Sequence, residues 1–258
     1  MALIKKFRIK KFKDQKSKLK LEKISMFYNK RQILNNLNLV INKQEVLGML
    51  GPNGVGKSTL FHIITGLKDP SFGKVLIDEI DCTNIPIYER ATKFKLGYVP
   101  QYGGFIQDLR LIDNLNLVGE IHIKEKEIRK IRIEEIISQF EFDPLLTIKA
   151  KHLSGGQKKK LVIAMALINN PNILLLDEPF AALDILTIKM LQEIIVNLQS
   201  VNKITVIVCD HQARDLLSCV DRAIVLSNGE IIASGSPDEI IKDASAKSAY
   251  FGNEFKIN

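Results

Sequence analysis

Nine consecutive residues, Gly51-Pro52-Asn53-Gly54-Val55-Gly56-Lys57-Ser58-Thr59, follow the pattern G-x-x-x-x-G-K-S. These are the residue types a phosphate cradle needs. Glycines keep Cβ atoms away so that backbone N–H groups can wrap an anion at a helix N-terminus. A lysine at this spacing reaches β- and γ-phosphates, and the Ser58 hydroxyl that follows is a ligand for Mg²⁺. The pattern therefore predicts a site for a nucleoside triphosphate.

Four further groups stand at the ends of aliphatic runs or at a helix start. Ile173-Leu174-Leu175-Leu176 runs directly into Asp177-Glu178. Two carboxylates at the C-terminal end of a buried strand emerge where ligands bind in parallel α/β sheets. Asp177 fits the acid of a Mg²⁺ site, and Glu178 fits a residue that polarises attacking water. His211 follows another aliphatic run, Thr205 to Cys209, and Gln101 follows Leu96 to Pro100. Ser154-Gly155-Gly156-Gln157 opens a helix, with Ser154 and Gln157 at capping-box spacing. Two glycines in a first turn cost about 1 kcal/mol each relative to alanine. Lys158, Lys159 and Lys160 then stand near the positive end of the helix dipole, where acids are preferred. Such a helix start makes sense if an anion docks on it and the glycines admit its close approach.

These groups need elements to position them. Val46–Leu50 reads as the buried strand before the phosphate loop, and Leu60 to Ile64 as the helix after it. Leu21 to Tyr28 and Leu37 to Ile41 alternate as two antiparallel strands around a turn at Asn29–Gln32, and Val75 to Ile77 adds a third. Leu109 to Lys151 reads as a charged helical lobe, with Ile133, Ile136, Ile137 and Phe140 on one face. Ile185 to Leu198 is amphipathic. Ala223 to Leu226 and Glu230 to Ala233 form a hairpin about Ser227-Asn228-Gly229, with a short helix after Pro237. Tyr28, at a strand end, is compatible with stacking on a base and equally with an ordinary edge-strand aromatic.

The net charge of +8 is not spread over the chain. Residues 1–20 hold nine lysines and arginines against Asp14 alone, so the remainder is formally neutral. Three readings of this basic arm stay open: a solvated flexible tail, contact with anionic lipid, and contact with nucleic acid. Cys82, Cys209 and Cys219 lack the spacing of a zinc site or disulfide framework, as expected in a reducing cytoplasm. The longest apolar run, Leu161 to Ile168, is too short to span a bilayer, and charges from Lys5 onward interrupt any signal-type core. Any membrane association is expected to be peripheral or through a partner.

With the phosphate loop, Leu153-Ser154-Gly155-Gly156-Gln157, Asp177-Glu178 and His211 in this order, the chain resembles the ATP-binding-cassette family over about residues 20–242. The resemblance implies an α/β fold: a P-loop NTPase core with a mostly parallel sheet, an N-terminal antiparallel β layer and an inserted helical subdomain at about 102–160. It implies an arm at 1–20, an ATPase domain at 21–242 and a tail at 243–258. By the same resemblance the chain is a Mg²⁺-dependent ATPase that takes ATP. Tyr28 stacks on adenine, and Gly51 to Thr59 hold the phosphates. Ser58, Gln101 and Asp177 hold Mg²⁺; Lys57, Gln101, Glu178 and His211 serve catalysis. Ala182-Leu183-Asp184 matches the D-loop, with Ala181 where serine is usual. Ser154, Gly155, Gly156 and Gln157 would close over ATP held by a second copy, giving a homodimer around two ATP.

Within the family, similarity is greatest to the lipopolysaccharide-export branch, including the ending Ala249 to Phe255; branched-chain amino-acid importer ATPases are the competing branch. This places the protein at the cytoplasmic face of the inner membrane, gripping integral membrane subunits through a groove near Phe105, without touching substrate. At Gln107-Asp108 that branch typically carries arginine. A soluble cassette acting on nucleic acid is disfavoured. The chain has one P-loop and one signature, and no long coiled coil or zinc cysteines.

Overall fold

The computed structural model describes residues 16–252. The basic residues 5–13 and the end of the tail, 253–258, lie outside them.

Aliphatic runs dictate the central sheet. β3 (Val46–Leu50), β7 (Ile173–Asp177) and β8 (Thr205–Cys209) are buried at every position. With β6 (Leu96–Val99) and β9 (Arg222–Ser227) they form a parallel set, and β10 (Glu230–Gly235) adds antiparallel to β9, in the order β10-β9-β3-β8-β7-β6. Side chains alternate across a strand, so each run feeds two cores. Leu174, Leu176, Val206 and Val208 face one apolar cluster, while Ile173, Leu175, Ile207 and Cys209 face the other.

The second cluster is closed by α1 (Lys57–Thr65) and by a four-stranded antiparallel layer. That layer has the order β2-β1-β4-β5, with β1 Ser17–Tyr28, β2 Arg31–Asn42, β4 Phe72–Ile77 and β5 Ile80–Asp81. This is the small β layer expected from the alternation, but it begins earlier than residue 21. Leu19 is buried between Ile41 and Ile77, while Lys18 and Lys20 pair with Asp78 and Glu79 at 2.6 and 2.7 Å. Lysine charge disguised a strand as part of the arm, so the boundary placed after residue 20 falls inside β1. A bulge at Lys23, with φ of 51°, resets the register so that Leu21 and Ile24 both face inward.

Between β6 and β7 lie α3 (Leu111–His122), α4 (Lys126–Phe140) and α5 (Gly155–Leu167), following α2 (Ile87–Lys93) ahead of β6. Ile133, Ile136 and Phe140 are buried on one face of α4, as the spacing predicts. α6 (Ile185–Ser200) buries Ile188, Leu191, Ile195 and Leu198. α7 (Ala213–Cys219) and α8 (Pro237–Lys242) complete the core, and the chain then turns through Lys247–Phe251 back toward it. Among the described residues no helix is long and apolar enough to cross a membrane.

Candidate functional site

Strand order assembles the site. β3, β8, β7 and β6 are consecutive neighbours and mutually parallel, so their C-terminal ends share one edge. At that edge β3 delivers the Gly51–Thr59 loop, β8 delivers Asp210-His211, β7 delivers Asp177-Glu178, and the segment after β6 delivers Gln101. A crevice at the carboxyl ends of parallel strands is where such sheets bind ligands.

The loop turns at Gly51 and Gly56, with φ of 147° and 110°. A Cβ on Gly51 would lie 2.4 Å from the Leu226 carbonyl oxygen, so backbone packing requires glycine there. Pro52, Asn53, Gly54 and Ser58 are exposed, while Val55 and Thr59 are half-buried. Lys57 is buried and curls back, its Nζ donating to the Gly51 and Pro52 carbonyls at 2.7 and 2.9 Å. The ammonium is thus already poised over the loop. The first-turn amides of α1 are donors that a helix cannot satisfy internally.

Asp177 and Glu178 differ in environment. Asp177 is 5% exposed and its Oδ2 accepts from the Tyr98 hydroxyl at 3.3 Å. Its Oδ1 is buried with no hydrogen-bond partner, and burial pushes the carboxyl above its ordinary value. Asp177 Oδ1 is a buried anionic oxygen lacking a donor, as a cation ligand would be. Glu178 takes a left-handed φ of 46° and its N–H donates to the Cys209 carbonyl at 2.7 Å. Its Oε2 accepts from Nε2 of Gln101 and lies 3.5 Å from Nδ1 of His211. Gln101, Glu178 and His211 therefore converge on one carboxylate oxygen.

Lys159 joins this cluster, and its place corrects the reading of the lysine run. Its Nζ donates to the carbonyls of Gln101 at 2.8 Å and Glu178 at 3.3 Å, and burial pulls the amine below its ordinary value. Lys160 donates to the Phe140 carbonyl at the C-terminal end of α4. These two lysines serve carbonyls within the subunit and not a docked anion. Spacing held the signal: Lys159 shares a helical face with Val162, Ile163 and Ala166.

Ser154 and Gln157 form the expected capping box, with Gln157 N–H on Ser154 Oγ at 3.2 Å and Ser154 N–H on Gln157 Oε1 at 2.8 Å. Ser154 and Gly155 are exposed. A Cβ on Gly156 would lie 2.5 Å from Cγ2 of Thr187, so packing against α6 by itself requires glycine there. Thr187 is itself held by Asp184, which caps α6. The Ser154 helix thus packs on the 182–184 turn.

Tyr28 is 37% exposed, with the Lys68 ammonium 4.4 Å from its ring centroid. Asp108 pairs with Lys151 at 2.7 Å, and the Gln107 carbonyl accepts from Lys151 N–H, which binds the segment after Phe105 to the approach to Ser154. Residues that sequence reasoning missed include Tyr98, Asp210 and Tyr250, whose hydroxyl donates to the His211 carbonyl at 2.7 Å. A cleft of about 230 Å³ lies between α2, β6, α3 and α5, lined by Ala91, Pro100, Gly104, Val118, His122 and Val162. Among the described residues no group of three or more His, Cys, Asp or Glu side chains forms a metal cluster.

Comparison with known proteins agrees with this geometry. A family model described as "ABC transporter" matches residues 34–181. The lipopolysaccharide export system ATP-binding protein LptB of Haemophilus influenzae is 34% identical over 237 residues, covering 92% of this chain and 98% of the relative. A nucleotide-free ATP-binding cassette from an ABC transporter superposes with a TM-score of 0.82 at 27% identity, covering 92% of this chain and all of that one. A dimeric cassette in a post-hydrolysis state, bound to ADP and Pi, superposes with a TM-score of 0.75 at 31% identity, covering 85% of this chain and 98% of that one.

Proposed function

The chain belongs to the ABC transporter family and is an ATP-hydrolysing enzyme, and from that premise we propose that it powers lipopolysaccharide export as a homodimer closed around two ATP. The observation that carries the substrate assignment is the end-to-end match to LptB of H. influenzae, at 98% of the relative's length. The dimer is supported by a relative seen as a dimer with ADP and Pi, and by the exposure of Ser154 and Gly155.

In this reading the Gly51–Thr59 loop receives the triphosphate. Lys57 exchanges its hold on the Gly51 and Pro52 carbonyls for the β- and γ-phosphates. Ser58, Gln101 and Asp177 would hold Mg²⁺, and the unpartnered Asp177 oxygen fits that role. Their ion would supply neutralisation of phosphate charge. Glu178 orients the attacking water and takes its proton, while Gln101 and His211 fix the carboxylate. Tyr28 stacks on adenine, replacing its contact with Lys68. Ser154 to Gln157 of one copy close over the ATP of the other, a two-fold arrangement of self-complementary surfaces.

The cleft beside Gly104 and Phe105 receives integral membrane subunits, and the protein sits peripherally at the cytoplasmic face of the inner membrane. The experiment is affinity capture of the full chain from detergent-solubilised membranes. Co-purification of permease subunits that bind lipopolysaccharide supports the reading. Permeases that work with a soluble binding protein would replace export by import while leaving the ATPase assignment in place.

A further inference from the structure

His211 stands between two residues whose side chains hold the same residue of the neighbouring loop. The Phe180 N–H donates to Oδ2 of Asp210 at 2.9 Å, and Nε2 of Gln212 donates to the Phe180 carbonyl at 3.0 Å. Oδ1 of Asp210 accepts the Gln212 N–H at 2.9 Å and closes the arrangement. Phe180, two residues past Glu178, is fully buried, as is Asp210. The turn that carries Glu178 and the turn that carries His211 are thus sewn together on both sides of the histidine.

Local structure does not require this of Gln212. It occupies the N-cap of α7, where a side chain ordinarily binds its own helix, yet it makes no such capping bond. Its amide is directed at a residue of another loop. The His211 side chain is 45% exposed, so packing does not fix it. Its 3.5 Å separation from Glu178 therefore depends on the backbone on which it stands, whose carbonyl also accepts from the Tyr250 hydroxyl.

We propose that Gln212 and Asp210 are positioning residues for ATP hydrolysis, which hold the His211 turn in register with the Glu178 turn through the backbone of Phe180. The proposal rests on the catalytic reading of Glu178 and His211 given above. A misplacement of one ångström at a reacting group costs up to about a hundredfold in rate, and a single lost tether costs less.

The test is steady-state hydrolysis of Mg²⁺-ATP by the purified full chain, comparing Gln212→Leu, His211→Ala and the double variant. Gln212→Leu keeps the volume and removes the donor; Gln212→Asn keeps the amide and withdraws it by one methylene. Each single Gln212 variant is expected to lower kcat by about tenfold with the KM for ATP changed by less than about twofold. In the His211→Ala background, Gln212→Leu is expected to lower kcat no further, because a residue that acts through His211 has nothing left to position. Native kcat in Gln212→Leu, or an equal loss with and without His211, would overturn the proposal. If His211→Ala itself turned over at the native rate, the assignment of His211 would fall, an outcome distinct from failure of the tether alone.

Discussion

Nδ1 of His211 lies 3.5 Å from Oε2 of Glu178, the same oxygen to which Gln101 donates. A carboxylate that accepts a hydrogen bond from Gln101 and faces His211 across 3.5 Å is oriented before any substrate arrives. Replacing it by an amide keeps the shape and removes the base. Glu178→Gln is expected to lower kcat by about 10² to 10⁴ while leaving ATP affinity near native. Equilibrium nucleotide binding beside single-turnover hydrolysis separates the two, and native turnover would remove Glu178 from the mechanism.

Asp177 predicts a conflict between stability and activity. Its Oδ1 is buried without a partner, and burial raises its carboxyl above the ordinary 3.8. A raised folded-state value means the charged form is disfavoured by folding. That cost is absent below 3.8, grows through the window up to the raised value, and is full at neutral pH. Asp177→Asn is therefore expected to raise stability at pH 7 without Mg²⁺ by about 1–3 kcal/mol and to abolish hydrolysis. The gain should shrink as pH falls toward 3.8. Thermal melts across pH check this; a destabilised Asp177→Asn chain would contradict it.

Lys159 ties α5 to the turns that carry Gln101 and Glu178, through the carbonyls of those two residues. Lys159→Met is expected to cost about 1–3 kcal/mol of stability and to slow turnover, with recovery in Lys159→Arg, which restores a cationic donor. Denaturant melts and kcat measured on the same preparations test it. A Met variant of native stability and rate would show that the tie is idle.

Gly156 gives a paired test. An added Cβ would meet Cγ2 of Thr187 at 2.5 Å, while Oγ1 is farther at 3.1 Å. Gly156→Ala is expected to destabilise by about 1–3 kcal/mol, and Thr187→Ser, which deletes the offending methyl and keeps the hydroxyl on Asp184, to restore part of that loss. Additive losses in the double variant would mean that the glycine is required for another reason.

What sequence made legible follows from how local each cause is. Leu174, Leu176, Val206 and Val208 announced buried parallel strands because a run of aliphatics has few other places to go. The phosphate loop was legible because its glycines, lysine and serine act within nine residues. The start of β1 was hidden, because Lys18 and Lys20 are paid for by Asp78 and Glu79 far along the chain. Lys159 was hidden inside a charge run whose members diverge in space. The packing of Gly156 on Thr187 was hidden, because α6 follows only after β7. Gln212 and Phe180 meet only once β7 and β8 are paired.

In the proposed dimer the Gly51–Thr59 loop is half of a site, completed by Ser154 to Gln157 of another copy. Sedimentation velocity of Glu178→Gln with and without Mg²⁺-ATP tests it most directly. The expected result is a monomer without nucleotide, a dimer with ATP, and loss of that dimer when Ser154→Arg is added on the same background. A particle whose mass does not change with ATP, or an ATP-dependent dimer indifferent to Ser154→Arg, would contradict it.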